Sequence, residues 1–182
     1  MTAPAHHSET ISLRLRELAQ LFNSMDPSPF HERDLDADAE DFIVGWAQEH
    51  LRDQSEFKLE IHLIEPPPAD RADTVEESLQ HYFRMRSETK EREFRQLMRR
   101  GRFSLIVGLL FLTACFTVGQ VVARLGYSTA AELIRESLTI GGWVAMWRPL
   151  EIYLYEWWPI RHLGKIYAKL STVPVEVRVP AT

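Results

Sequence analysis

Trp147-Arg148-Pro149-Leu150-Glu151 interrupts an apolar stretch that runs from Leu138 to Trp158. A charge at bilayer depth costs roughly 2.5–3.5 kcal/mol on insertion scales, so an intramembrane arginine and glutamate point to function by default. Arg148 and Glu151 are three residues apart and can share one helix face. Pro149 cannot donate to the carbonyl of Ala145, so a kink or break is expected there. One reading makes Arg148, Pro149 and Glu151 an intramembrane polar site lining an oligomer interface or a water-filled path. The other makes them a structural break, with Pro149 starting an interfacial helix whose charges snorkel to water. The tryptophans Trp143, Trp147, Trp157 and Trp158 suit an interfacial location.

A second cluster is Asp34, Asp36, Asp38, Glu40 and Asp41, of which Asp34-Leu35-Asp36-Ala37-Asp38 imitates the start of a calcium loop. The imitation then fails. Ala39 stands where the loop needs glycine, and Gly45 where it needs a bidentate glutamate. A helix-capping acidic cluster is the better reading. It is also a candidate docking patch for a basic partner.

Other chemistries find little support. His31-Glu32-Arg33-Asp34 offers acid–base groups, but Leu35 stands where a zincin motif needs its second histidine. His6, His7, His50, His62, His81 and His162 lack ligand spacing. There is no phosphate-binding glycine loop, no CxxC and no trustworthy Ser-His-Asp order. No metal, cofactor or catalytic residue is therefore assigned, and an enzyme is the less favoured class. The single cysteine, Cys115, cannot form an internal disulfide, which suits a reducing compartment for the aqueous parts. The N-terminus has no apolar h-region and does not read as a secretory signal.

The net charge of −5 sums opposite blocks: an acidic stretch from Asp26 to Glu77 and a basic one from Arg84 to Arg102. Nucleic acid is disfavoured as a partner. The basic run abuts Phe103–Ala123, which has no charged residue, and this suits a membrane surface.

These residues need elements to hold them. Residues 1–9 read as disordered. Ile11, Leu15, Leu18 and Phe22 recur at helical spacing and predict an amphipathic helix over about 11–23, ended by Asp26-Pro27-Ser28-Pro29. A second helix is expected over about 37–51. Phe57–Leu63 alternates and predicts a half-buried strand, stopped by Pro66-Pro67-Pro68. Thr74-Val75-Glu76-Glu77 is a capping box opening a long polar helix to about Arg100. Phe103–Ala123 is 21 residues, roughly 30 Å as a helix, enough to cross the hydrocarbon core. Gly126-Tyr127-Ser128-Thr129 turns the chain into a second span over about 137–158. A short helix is expected around Arg161–Lys169, then an alternating segment from Val173 to Val179.

Gly141 and Gly142 allow close backbone approach and are expected to pack on Gly108 or Gly119 of the first span. Arg99, Arg100 and Arg102 at one end, and Trp157 and Trp158 at the other, are the expected interface anchors. Basic residues flank the outer ends of both spans, which puts both termini in the cytoplasm. The strands near 57–64 and 175–179 then lie on one side of the membrane and are expected to share a sheet, with Glu60 and Arg178 on its wet face.

The fold class expected is an α+β membrane protein: a two-helix transmembrane hairpin plus a small cytoplasmic α+β domain built from both chain ends. Its parts are a domain at 1–73, a basic juxtamembrane helix at 74–102, the hairpin at 103–158 and a tail at 159–182 whose strand joins the first domain.

Leu21-Phe22-Asn23-Ser24-Met25-Asp26-Pro27-Ser28-Pro29-Phe30 with Asp34-Leu35-Asp36, and Gly141-Gly142-Trp143-Val144-Ala145-Met146-Trp147-Arg148-Pro149-Leu150-Glu151 running on to Tyr155-Glu156-Trp157-Trp158-Pro159, resemble a family of bacterial inner-membrane proteins with two predicted spans. The resemblance covers most of the chain. It implies a bacterial plasma-membrane setting and brings no activity with it.

The function expected is a membrane-anchored scaffold or adaptor, a homo-oligomer in the lipid bilayer that presents its acidic domain to a cytoplasmic protein. The alternative is a small channel or transporter component with Arg148 and Glu151 along its path. A lipid-acting enzyme at the cytoplasmic interface ranks third.

Overall fold

A computed structural model of the protein describes residues 9–50, 57–67, 74–125 and 129–179. The expected disordered N-terminus with His6 and His7, most of the turn at 126–129, and Leu51 and Pro68 fall outside these residues wholly or in large part. The chain divides into two compact units. One holds the residues up to Lys90 and from His162 onward; the other is Glu91–Arg161.

The first unit is built on a three-stranded parallel sheet, β1 (Glu9–Leu15), β2 (Phe57–Leu63) and β3 (Val175–Arg178), in that spatial order. The register places Ile11 beside Leu59 and Leu13 beside Ile61; on the other side, Leu59 and Ile61 neighbour Val175 and Val177. Period-two alternation then sends Ile11, Leu13, Leu59, Ile61 and Leu63 into the core. The opposite face carries a charge ladder. Lys58 and Arg178 both pair with Glu60, at 2.7 and 3.1 Å, and both reach Glu176. Glu60 is half-buried and Arg178 and Glu176 are exposed, and pairs of this kind set register more than they add stability.

The β1 segment corrects the helix expected over 11–23. Thr10, Ile11, Ser12, Leu13 and Arg14 alternate, and Leu13, which the helical spacing passes over, is buried. The helical part of that region is a single 3₁₀ turn, Leu18–Leu21. The chain then makes a closed loop. The Asn23 N–H donates to the Asp34 carbonyl at 2.8 Å, and the Asp36 N–H to the Leu21 carbonyl at 3.0 Å.

Helix α1 (Ala37–His50) follows, capped by Asp36, whose Oδ1 accepts the Asp38 N–H at 3.1 Å. Ala39, Ile43, Val44 and Ala47 face the core. Parallel strands need long crossovers. Between β1 and β2 the crossover contains α1; between β2 and β3 it is the whole helical part of the chain that follows β2. Helix α2 spans Val75–Leu125, 51 residues, about 77 Å at 1.5 Å per residue. Its first turns lend Val75, Leu79, Tyr82 and Phe83 to the core. The end of α5 (Trp157–Leu170) adds Ile166, Tyr167 and Leu170.

The second unit contains the rest of α2, then α3 (Thr129–Ala145), α4 (Trp147–Glu151), a π-helical turn (Ile152–Glu156) and the start of α5. The expected two-helix transmembrane hairpin is therefore not formed. The juxtamembrane helix and the first apolar stretch are one helix, α2, which alone among the described residues is long and apolar enough to cross a membrane by length and composition. The second stretch, expected as one span over 137–158, is bent and broken instead. Pro149 has no N–H for the Ala145 carbonyl, the helix breaks at Met146, and the π turn follows. Its uncharged run between Glu136 and Arg148 would rise only about 16 Å, half the hydrocarbon thickness.

Glycines mark where the broken helix lies along α2. A Cβ at Gly142 would stand 2.8 Å from Leu112 Cδ1, and one at Gly101 would stand 2.9 Å from Ile152 Cγ2. At Gly108 it would stand 3.1 Å from the Ala145 carbonyl oxygen, the acceptor that Pro149 leaves without its helical donor. Thr113 and Thr117 return their hydroxyls to the carbonyls of Leu109 and Thr113, both at 2.7 Å. Their polarity is satisfied within the helix, as an apolar setting demands.

Candidate functional site

The acidic segment at the start of α1 divides in two when its side chains are placed. Asp34, Asp38 and Asp41 are exposed, and Asp36 is the half-buried cap. Asp34 is positioned by Asp26, whose two carboxylate oxygens accept the N–H groups of Asp34 (2.8 Å) and Ser28 (2.9 Å). Those two amides hold the Asp26 carboxyl below the usual carboxylate range. The patch thus rests on an aspartate that spacing alone did not single out.

Glu40 leaves the patch altogether. It is only 9% exposed, on the core face of α1 beside Ala39 and Ile43. Its carboxylate accepts the hydroxyls of Tyr82 at 2.7 Å and Tyr167 at 2.8 Å. The Arg86 guanidinium grips it as a fork, Nε to Oε1 at 2.9 Å and Nη2 to Oε2 at 2.8 Å. Arg86 enters from the rim, its side chain 44% exposed, and lies 5.7 and 5.8 Å from the ring centroids of Tyr82 and Tyr167. Burial raises the Glu40 pKa, but the bonds from Tyr82, Tyr167 and Arg86 outweigh it, and the carboxyl ends below its ordinary value. Burial first, then the bond to Glu40, pushes Tyr167 up to about 12 and raises Tyr82 as well. Four donors on one carboxylate leave no oxygen poised for proton transfer. The knot joins α1, α2 and α5 and is structural in its chemistry.

Tyr82, Arg86 and Tyr167 carried no functional reading from spacing. A signal was present: Tyr82 and Arg86 are four apart and interleave with Leu79 and Phe83, so polar groups stand on or beside the buried stripe of α2.

In the second unit Arg148 pairs with Glu151 at 2.9 Å and also with Glu156. Glu156 is the partner that sequence spacing missed. Eight residues apart on a regular helix the two would not meet; the intervening π turn changes the phase. Contacts along α2 fix their level. Pro149 is buried near Gly108, and Ile152 and Tyr153 lie at Gly101, so the charged cluster stands beside the boundary where the basic run of α2 meets Phe103. Gly108 lies about 7.5 Å beyond that boundary. Arg99, Arg100 and Arg102 are exposed at the same boundary, and Trp147 and Trp158 are exposed as well. Trp157 is half-buried and donates its indole N–H to the Tyr153 carbonyl at 2.8 Å. Arg161 stands 5.9 Å from the rings of both Phe94 and Trp157.

The small residues behave differently from one another. Gly142 packs on Leu112 and Cys115 rather than on Gly108 or Gly119; Gly108 meets Ala145, Met146 and Pro149; Gly119 meets the stem of Arg135; Gly141 has nothing within 4 Å. Among the described residues no group of three or more His, Cys, Asp or Glu side chains is placed to hold a metal ion. The chain matches no family model, no curated protein and no solved structure.

Proposed function

We propose that this chain is a non-enzymatic, membrane-anchored adaptor that presents the acidic start of α1 to a basic cytoplasmic protein. One observation carries the reading. Helix α2 is core at its beginning, through Val75, Leu79 and Phe83, and exposed apolar surface from Phe103 onward, through Ile106, Leu110, Phe111, Phe116 and Val121. An apolar face of that extent is stable against lipid and not against water. The parallel pairing of β3 with β2 supports both termini lying on one side, with the chain beyond α2 returning along the bent path of α3, α4 and the π turn instead of a second regular span, and the arginines before Phe103 support that side being cytoplasmic. The sequence resemblance supports a bacterial inner membrane. Gly141, open on the surface of α3, supports a homo-oligomer through helix contact.

The acidic surface available to a partner is Asp34, Asp38 and Asp41, with Glu40 consumed internally. The mutual pairing of Arg148, Glu151 and Glu156 favours an adaptor over a channel. The test is in-cell photo-crosslinking from position 38. It should capture one cytoplasmic protein at the membrane, and Asp34→Asn with Asp41→Asn should abolish capture. Capture unchanged by the double substitution, or a chain extracted from membranes by alkaline wash, contradicts the reading.

A further inference from the structure

In the second unit, α2 and α3 leave a groove of about 390 Å³ lined by Phe116, Gly119, Gln120, Arg135, Glu136, Thr139 and Ile140. Its two walls differ. Phe116 and Ile140 are large, apolar and exposed. Gln120, Arg135 and Glu136 are exposed polar side chains with no hydrogen bond or ion pair among the described residues, while the Thr139 hydroxyl is spent on the Arg135 carbonyl at 2.9 Å. The other charged cluster of this unit, Arg148 with Glu151 and Glu156, is paired within itself. Here one cation and one anion stand side by side and leave each other free.

The glycine shapes the site. The stem of Arg135 lies 3.4 Å from where a Cβ at position 119 would be, so Gly119 gives the arginine room to lie across α2. Position 119 is sixteen residues beyond Phe103, about 24 Å along the helix. That is within one arginine length of the far face of a hydrocarbon core roughly 30 Å thick.

We propose that this groove is a phospholipid subsite for a zwitterionic headgroup bearing a primary ammonium, with the phosphate on Arg135 and Gln120 and the ammonium on Glu136. The acyl chain then follows Phe116 and Ile140. A planar guanidinium matches a phosphate through two donors, and a carboxylate accepts from an ammonium that carries hydrogens. Choline has none to give, and glycerol has no charge, so the site discriminates among headgroups that share one phosphate. The volume suits a headgroup and the start of its chains rather than a whole lipid.

This inference rests on the membrane reading above, and the experiment separates the two. The full chain is reconstituted into nanodiscs holding equal phosphatidylethanolamine, phosphatidylcholine and phosphatidylglycerol, and retained lipid is read by native mass spectrometry. The wild type should keep phosphatidylethanolamine about tenfold over the other two, the size of one charge-assisted hydrogen bond. Glu136→Gln should erase that preference while phospholipid is still retained. Arg135→Gln should lower retention of all three, and Gly119→Leu should do the same by filling the groove. Equal retention in the wild type, or a preference that survives Glu136→Gln, overturns the subsite. A dimer mass with no lipid dependence also overturns it, by making a second copy the occupant. A chain that stays in solution without any bilayer overturns the membrane reading itself.

Discussion

Replacing Glu40 by alanine removes the acceptor of four hydrogen bonds at the meeting of α1, α2 and α5. The donors do not suffer equally. Arg86 is 44% exposed and can be rehydrated at little cost, so its ion pair is worth closer to a surface pair than to a buried one. Tyr82 and Tyr167 are 8% and 5% exposed, and their hydroxyls would be left in the interior without a partner. Each orphaned hydroxyl costs about 1–2 kcal/mol. With a small loss of packing, the total is about 2–4 kcal/mol, or roughly 30- to 700-fold in an opening equilibrium. Hydrogen exchange of the α1 amides in the full-length protein reads this directly. The diagnostic step is to remove both hydroxyls as well, since replacing both partners of a buried hydrogen bond by apolar groups is nearly neutral. Glu40→Ala with Tyr82→Phe and Tyr167→Phe should recover at least half of the lost protection. Loss under 0.5 kcal/mol in the single variant, or no recovery in the triple, would refute the account of where the cost arises.

Acid should act on the same knot. The folded pKa of Glu40 lies below its unfolded value, so its contribution is complete above the ordinary carboxylate range and fades as pH falls through the lowered folded value; Glu40→Gln should flatten that part of the stability profile in acid unfolding monitored by fluorescence. At the alkaline end Tyr167 is raised, so its contribution is complete below about pH 10 and lost as pH rises through about 12; absorbance titration of Tyr167→Phe should lack one late-ionising phenol. In the second unit Gly142→Leu should disrupt packing on Leu112 and lower thermal stability by several degrees, while Gly141→Leu should leave the monomer unchanged and weaken self-association measured by cross-linking. Arg148→Ala leaves Glu151 and Glu156 without their shared cation; membrane-inserted yield should fall, and Glu156→Gln in the same chain should partly restore it.

What could be read from the chain follows the physics of each signal. The alternation at Phe57–Leu63 and Val175–Val179 was visible because one sheet face is wet and one is dry, and the Glu60–Arg178 contact follows from it. Residues 11–22 misled because apolar residues at 11, 15, 18 and 22 satisfy a helical period while 11, 13 and 15 satisfy a strand. Tertiary pairing with β2 decides between them, and no local pattern contains it. A polar helix ending near Arg100 and a span starting at Phe103 imply a joint between them, and Gly101 stands at that joint. The structure has no joint there: Gly101 lies inside α2, and Ile152 and Tyr153 pack where its side chain would be. Glu40 was grouped with its acidic neighbours because contiguity in sequence carries no information about which face of α1 each residue takes. Its register with Ala39 and Ile43 did carry that information. Glu156 met Arg148 only through a π turn, whose extra residue per turn defeats α-helical spacing.

Helix α2 as one uninterrupted element, core at its start and lipid-facing beyond Phe103, is the claim on which the rest depends. Nitroxide scanning of positions 75–124 in proteoliposomes, read as accessibility to oxygen against a polar nickel reagent, tests it most directly. The account predicts one unbroken 3.6-residue period across Gly101, with polar access dropping after Arg102 and oxygen access rising from Phe103 to Val121. A phase break near Gly101, or polar access sustained through Ile106–Val121, would contradict it.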